Sequence, residues 1–252
     1  MKEIRLLLGI CAALVVGFGG VSAAFAAPAK GTCSGGPIAP GTYDGLSVTG
    51  DCTITDEVTI NGNVRVANGA YLDAAYLGTR LTINGNVSVG KDAKLGLGCS
   101  FGYHDCRFDP SAWIGNVTVN GNIVANQALT MFLDFTTVHG NVIVNGGGDI
   151  TLVDPNGLVL PIKDNVIDGN VTVHGWQGAW FGIIRNMVGG NVMVSNTVGT
   201  RSDPDADSTE IVTNDIGGNL ICHGNSPAAQ IGDSGGIPNV VGGNKIGECA
   251  GL

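Results

Sequence analysis

The chain contains few charged residues and, in particular, few basic ones. Only 13% of its 252 residues are charged, and 12 Lys and Arg against 21 Asp and Glu leave a formal net charge of −9. Proteins that bind nucleic acid or anionic membrane surfaces present basic stripes or patches. The composition therefore argues against both classes of partner, and by itself it points to no other.

Long apolar runs are absent except at the N-terminus. Lys2 and Arg5 precede that run, which ends in small residues around Ala24-Phe25-Ala26, as is typical of a secretory signal peptide. We predict a signal peptide over residues 1–26 and one domain over residues 27–252. A retained membrane anchor is disfavoured because the run is short and is followed by an Ala-x-Ala site. The predicted location is extracellular or at the cell surface, with no membrane span after signal removal.

Cysteine is also scarce, with 7 in the chain, one of which is Cys11 in the predicted signal peptide. The even number left in an exported chain indicates disulfides rather than a metal site. Many pairings are open, and proximity in the sequence favours Cys33 with Cys52, Cys99 with Cys106, and Cys222 with Cys249. The first and third bridges would staple the ends of a repeat architecture, where the core needs capping.

The 3.6-residue apolar period of amphipathic helices is missing as well. The chain instead repeats Gly-Asn followed by an apolar residue, with the glycine at positions 62, 85, 115, 140, 169, 190 and 218, and again in "GGNKIG" at 243. The mean interval is about 26 residues. That length suits one coil of a β-solenoid, in which short strands and turns complete a circuit and insertions leave through loops.

An asparagine follows the glycine in every copy of this phrase. We expect the amides to stack one coil apart, at about 4.8 Å, and to form a hydrogen-bonded ladder. Its predicted members are Asn63, Asn86, Asn116, Asn141, Asn170, Asn191, Asn219 and Asn244. The Gly-Asn pair is further expected to take the left-handed backbone of a sharp corner.

Apolar residues lie two and four positions after most of the glycines, as with Val64 and Val66, and a variable residue lies between them. This alternation predicts a strand with one side in the core. The variable residues should form one outward column of Arg65, Ser88, Thr118, Ile143, Thr172, Met193 and Ile221. Since this column is not a regular threonine array, it argues against ice binding.

With these turns and this coil length, the sequence resembles the right-handed parallel β-helix proteins of bacteria, which include polysaccharide lyases, polygalacturonases, surface adhesins and bactofilins. The resemblance extends from about Gly41 to Gly247, and the cysteine-containing ends are similar to small secreted bacterial proteins. It implies an all-β fold, namely a single-stranded right-handed parallel β-helix of about eight coils with loop insertions and disulfide-stapled ends. These features specify architecture rather than activity.

One insertion supplies aromatic candidates for ligand binding. The stretch "HGWQGAWFGII" contains Trp176, Trp180 and Phe181 in a chain that has only 3 tryptophans. Exposed, these rings could stack on sugars, and the alternative is that the loop buries them.

A second insertion, "RSDPDADSTE", supplies acidic candidates. Asp203, Asp205 and Asp207 have the spacing of the first ligands in a calcium loop. The glycine and the bidentate glutamate of an EF-hand are missing, so a solvated acidic loop is the alternative. No cofactor is required, and calcium is the candidate ion.

Catalytic groups do not align along the coils. A β-helix lyase or glycoside hydrolase would gather carboxylates on neighbouring coils, but the acidic residues fall at different offsets from their turns: Asp134, Asp149, Asp154, Asp164, Asp168 and Asp215. His174 and His223 share an offset, with Ser195 on the coil between them. That separation is too large for shared metal ligation.

The sequence therefore predicts a secreted, non-catalytic β-solenoid that acts as an adhesin-like structural or binding protein. Its expected partner is an extracellular polysaccharide or a surface protein. Self-association is another option, because Ile143, Met193 and Ile221 make the later coils less polar. A polysaccharide-degrading lyase or hydrolase of the β-helix type is the alternative.

Overall fold

Parallel strands dominate the molecule. The computed structural model describes residues 29–99, 116–151, 158–200, 208–232 and 236–252. Successive coils hydrogen-bond in parallel register, and together they form a parallel β-helix with three faces. The predicted signal peptide, Cys106 and the three aspartates of the predicted calcium loop lie outside the described residues.

The three faces are named A, B and C. Face A precedes each Gly-Asn corner and comprises the first part of Gly41–Val48, then Glu57–Ile60, Arg80–Ile83, Val117–Val119, Thr136–Val138, Val166–Ile167, Met187–Val188, Asp215–Ile216 and Val240–Val241. Face B follows the corner and comprises Ala29–Cys33, the last part of Gly41–Val48, then Val64–Val66, Val87–Val89, Ile123–Asn126, Val142–Asn145, Val171–His174, Val192–Ser195, Leu220–His223 and Lys245–Gly247. Face C comprises Gly36–Pro37, Asp51–Thr53, Tyr71–Ala74, Lys94–Gly98, Thr130–Asp134, Val159–Lys163, Trp180–Ile184 and Thr209–Val212.

Two further elements complete the described fold. Gln177–Gly178 pairs with Val198–Gly199 in a short parallel ladder between faces B and C. A 3-10 helix, Glu248–Gly251, ends the chain. Within the described ranges, no helix is long and apolar enough to cross a membrane.

The core is a stack of inward side chains from the three faces. On face B one inward row is 0% exposed throughout, and it consists of Val64, Val87, Ile123, Val142, Val171, Val192 and Leu220. Full burial of such a side chain stabilises the fold by about 1.5–3 kcal/mol relative to leaving it exposed. The alternation predicted from the sequence is therefore the core pattern of face B.

One predicted member of the asparagine column is wrong. Asn122, and not Asn116, lies at the corner between Asn86 and Asn141. The Nδ2 atom of Asn122 donates to Asn86 Oδ1 at 3.1 Å, and Asn141 Nδ2 donates to Asn122 Oδ1 at 2.8 Å. Asn116 instead begins a face A segment, where its carbonyl accepts a hydrogen bond from the backbone N–H of Leu81.

The two valines that follow Asn116 also belong to face A and not, as predicted, to face B. Val117 and Val119 pair with Leu81 and Ile83 of face A, while Ile123 and Ala125 take the inward places that were predicted for the valines on face B. Two Gly-Asn phrases, each followed by alternating apolar residues, occur six residues apart in this coil. Pairing with the adjacent coil decides between them.

The Gly-Asn corners are close contacts rather than left-handed turns. A Cβ atom at Gly85 would lie 2.6 Å from the carbonyl carbon of Gly62 on the preceding coil, so the stacked backbones leave no room for a side chain. Asn86 donates both its backbone N–H and its Nδ2 to Asn63 Oδ1, at 2.8 and 3.4 Å. The prediction that the Gly-Asn pair takes a left-handed conformation is wrong. The residues with positive φ lie at the other two corners instead.

A second asparagine column lies inside the molecule, at the corner between faces C and A. Asn165, Asn186 and Asn214 are 1% exposed and Asn239 is 4% exposed. Asn186 Nδ2 donates to Asn214 Oδ1 at 3.0 Å and to the carbonyl of Ile162 at 2.8 Å. The amides of Asn165, Asn186 and Asn214 each bond to the asparagine of the next coil and to a backbone carbonyl of the preceding coil, which satisfies buried polar groups.

Left-handed residues precede these buried asparagines and make the corner sharp. Asp164, Arg185 and Thr213 have φ of 56°, 54° and 59°. Arg185 Nε and Nη2 donate to the two carboxylate oxygens of Asp164, each at 2.6 Å. The hydrogen bond that Arg185 donates to Asp164 raises the pKa of Arg185, and burial opposes that rise.

Both ends of the helix are covalently closed, as predicted. Cys33 is bonded to Cys52, and Cys222 is bonded to Cys249. Cys249 lies in the terminal 3-10 helix, is buried and belongs to the core, so that helix covers the last coil. The predicted Cys99–Cys106 bridge stays a prediction, since Cys106 lies outside the described residues.

The buried asparagine column should contribute strongly to stability. We expect Asn186→Ala to lower the free energy of unfolding by about 3 kcal/mol or more, because it leaves the Ile162 carbonyl and the Asn165 amide groups buried without their partner. The matched control is Asn145→Ala, which removes one exposed inter-coil hydrogen bond and should cost less than about 1 kcal/mol. Urea unfolding with the disulfides intact measures both variants. Equal losses would contradict this role.

Candidate functional site

The three faces differ in their access to solvent. Several outward positions of face C are buried, among them Asp73, Trp180, Glu210 and Val212. Among the described residues, the outward positions of faces A and B are half-buried or exposed, apart from Ser195 of face B, which is buried. A ligand in solution can therefore reach faces A and B.

Face A carries a row of threonines in strict register. Successive strands pair Thr42 with Thr59, Thr59 with Thr82, Thr82 with Thr118 and Thr118 with Thr137. Four of these side chains are half-buried and lie between residues that are buried in the core, whereas Thr42 is exposed. We call these five residues the threonine row.

The threonine row corrects the outward column predicted from the sequence. Thr118 belongs to face A, and Val124 takes its place on face B between Ser88 and Ile143. The absence of a threonine array was inferred from a column that mixed residues of two faces. The reason given against ice binding therefore does not apply to face A.

A second polar row lies beside the threonines, in the bend that follows the last residue of four face A strands. Asn84 Nδ2 donates to Asn61 Oδ1 at 3.3 Å, and Asn120 Nδ2 donates to Asn84 Oδ1 at 2.7 Å. His139 continues the row on the next coil, where its Nδ1 lies 2.6 Å from Asp168 Oδ2. We call Asn61, Asn84, Asn120 and His139 the asparagine row.

The signal for both rows is the phrase Thr-[Ile/Val]-[Asn/His] directly before Gly-Asn, which reasoning from the sequence overlooked. Thr42 lies outside this phrase, since the residue two positions after it is the exposed Asp44.

The two rows form a regular surface lattice. Neighbouring strands lie about 4.8 Å apart, so the members of each row repeat at about that interval along the helix. Threonine is branched at Cβ, which restricts its χ1 angle and fixes the hydroxyl and methyl groups. In the described part of the chain, the five hydroxyls accept or donate no side-chain hydrogen bond, so they are available to a ligand.

Charge is confined to the edges of this surface. Glu57 and Arg80 begin two of the strands and pair with each other at 3.4 Å, with both side chains exposed. Asp168 lies at the far end beside His139. The threonine row and the asparagines of the second row are uncharged, so the lattice is suited to a neutral ligand.

The aromatic residues proposed from the sequence do not form a ligand platform. Trp176, Trp180 and Phe181 are 0%, 8% and 1% exposed. Trp176 packs against Phe181 in the core, with ring centroids 6.5 Å apart, and Trp180 lies on the covered side of face C with Lys163 Nζ 5.3 Å from its ring. The prediction that these rings contact a ligand is corrected, because their apolar surface is used in packing.

The histidines lie where the sequence placed them. His174, Ser195 and His223 occupy one register position on successive strands, as predicted. His174 Nδ1 lies 2.9 Å from Ser195 Oγ. Among the described residues, no group of three or more His, Cys, Asp or Glu could hold a metal ion.

The acidic residues considered for catalysis lie in different parts of the structure, except that Asp134 and Asp164 both interact electrostatically with Arg185. Asp134 is buried on face C, Asp164 pairs with Arg185, Asp168 contacts His139, and Asp215 is exposed on face A. Asp149 accepts hydrogen bonds from Thr151, which hold its pKa below the usual value. Asp154 lies outside the described residues.

Comparison of the chain with family models, with curated proteins and with solved structures finds no match. The threonine row and the asparagine row are therefore identified as a candidate site from geometry and chemistry alone.

The buried position of Trp176 gives a direct test of its role. We expect Trp176→Ala to lower the free energy of unfolding by about 3–5 kcal/mol, the usual cost of truncating a large aromatic residue in a core. The control is Met187→Ala, since Met187 is 59% exposed and its truncation should change stability by about 0.5 kcal/mol or less. Thermal and urea unfolding measure both variants. A Trp176 variant as stable as the control would show that the ring lies at the surface.

Proposed function

We propose that this protein is an exported, non-catalytic, adhesin-like binding protein that attaches to its ligand through face A. The observation that carries the proposal is the threonine row, which repeats over five successive coils beside the asparagine row on a face whose described outward residues are half-buried or exposed. The ligand presents hydrogen-bonding groups at a regular repeat. An extracellular polysaccharide is the first class of ligand to test.

Repetition is what makes such a site effective. One threonine hydroxyl binds weakly, because it exchanges a hydrogen bond to water for one to the ligand. Several identical groups on a rigid frame engage an extended ligand together, and avidity then greatly exceeds the affinity of each contact. The disulfide-closed ends and the hydrogen-bonded asparagine row keep this frame preorganised, which lowers the entropy cost of binding.

The arrangement of carboxylates supports binding rather than hydrolysis. A retaining or inverting glycosidase needs two carboxyl groups facing one substrate position. Among the described residues, Asp134 and Asp215 belong to different faces, and Asp164 and Asp168 lie at different corners, where each contacts a basic residue. The two disulfides are compatible with an extracellular location.

Self-association through the later coils is a secondary proposal. Val166, Met187, Val240 and Ile246 are large exposed apolar residues of faces A and B on these coils. An apolar surface of this kind favours contact with another protein surface. On face A this surface continues the threonine row, since Val166 follows Thr137 in register and Met187 follows Val166.

Substitution within the threonine row tests the proposed function. We expect the double variant Thr82→Tyr and Thr118→Tyr to weaken binding to an insoluble polysaccharide by roughly tenfold or more, because two bulky rings prevent simultaneous contact along the row. Thr172→Tyr is the matched control, since Thr172 is a half-buried outward threonine on face B. Pull-down on chitin, cellulose and peptidoglycan, with polymer chain length followed in parallel, provides the measurement.

Two results would contradict the proposal. Equal binding by the double variant and the control would exclude face A as the site. Shortened polymer chains would establish catalysis and favour the lyase or hydrolase alternative.

A further inference from the structure

We propose that the surface recognised by face A is crystalline water, and that the protein binds ice through the threonine and asparagine rows. This inference rests on the proposed function, because it uses the same face and names its ligand. Ice binding differs from polysaccharide binding in the geometry of the ligand, because ice presents a two-dimensional lattice and a polysaccharide presents a single extended chain.

The spacing of the rows favours such a lattice. The parallel strands repeat about every 4.8 Å along the helix, so the members of each row share that interval. This distance is close to the repeat of oxygen atoms in hexagonal ice. Water molecules held by successive threonine hydroxyls would therefore be spaced nearly as in the crystal, and they could join its surface with little rearrangement.

The chemistry of the threonine side chain supports the same ligand. Each residue presents a hydroxyl that binds one water molecule and a methyl group that water can enclose without a hydrogen bond. Because χ1 is restricted, the water positions would be fixed before ice is met, and ordering a bridging water costs at most about 2 kcal/mol. In the asparagine row, the hydrogen bonds from Asn84 to Asn61 and from Asn120 to Asn84 hold the amides in place.

The composition of the rows also fits ice better than sugar. Neither row contains a Trp, Tyr or Phe ring to stack on a pyranose, and Trp176 and Trp180 are buried elsewhere. In the register of the asparagine row, carboxylates lie only beyond its two ends, at Asp44 and Asp168. Ice is neutral and offers the same groups at each repeat, which matches a face on which Thr59, Thr82 and Thr118 are equivalent.

The extent of the array is limited and defines the binding region. Four inter-coil steps separate Thr42 from Thr137, a distance of about 19 Å at the strand spacing. Val166 follows Thr137 in register, and Met187 follows Val166. The inferred ice-binding surface therefore occupies the first half of face A, and Thr82 lies at its centre.

The test uses ice itself as the probe. The disulfide-intact protein is measured for thermal hysteresis, for shaping of a single ice crystal and for inclusion in slowly growing ice. We expect all three effects for the unaltered chain. Thr82→Tyr should reduce thermal hysteresis about tenfold, because a ring at the centre of the row holds the flat surfaces apart. Thr172→Tyr on face B should leave it unchanged within about twofold, and circular dichroism checks that both variants are folded.

The outcomes separate this inference from the proposed function. Exclusion of the folded, unaltered protein from growing ice, with no hysteresis, would overturn ice binding. Polysaccharide binding that is still lost in the face A variants would then leave the proposed function standing with a different ligand. Equal loss of ice activity in Thr82→Tyr and Thr172→Tyr would overturn the assignment of the rows.

Discussion

In-register hydrogen bonding between successive coils is the constraint on which the rest of this molecule depends. Coils that stack at the strand spacing bring the backbones of Gly62 and Gly85 too close to admit a Cβ atom, so each Gly-Asn corner repeats the same two residues. The same stacking places every outward side chain above its equivalent on the preceding coil. A chain with little charge and many glycines thereby acquires a surface with one-dimensional crystalline order, and a sequence repeat becomes a row of identical chemical groups.

The buried asparagines show how the interior adapts to this stacking. One inward row of face A begins with Val58, Leu81 and Val117, continues with Thr136, and then changes to Asn165 and the asparagines after it. Where the row becomes polar, the face A strands shorten from four residues in Glu57–Ile60 to two in Val166–Ile167. A sharper corner leaves backbone groups that a strand would have paired, and the asparagine amides bond them. The outward threonine row ends at the same coil, so the inner and outer surfaces change together.

The sequence was sufficient to predict the parallel β-helix, its valine core and seven of the corner asparagines, because each follows from a repeated local phrase. The two terminal disulfides followed from the proximity of their cysteines in the sequence. Asn122 was missed because the segment from Asn116 to Asn126 satisfies the same alternation in two registers, and only pairing with a neighbouring coil distinguishes them. Burial of Trp180 depends on segments distant in the chain that cover face C, for which no local pattern exists. The inner asparagines did have a signal, since each precedes a corner asparagine by five residues in "NVIDGN", "NMVGGN", "NDIGGN" and "NVVGGN".

Threonine is common in strands, so its presence on face A needs comparison with an equivalent surface. Face B provides that comparison, because it has the same strand spacing, the same stacked corners and the same inward valines. Its outward column reads Arg65, Ser88, Val124, Ile143, Thr172, Met193 and Ile221, which shows that the backbone accepts charged, polar and apolar residues there alike. The threonine row of face A is therefore not a requirement of the fold. Faces A and B share one backbone geometry, but only face A repeats the same outward side chain over five coils. This difference is the reason for assigning ligand binding to face A.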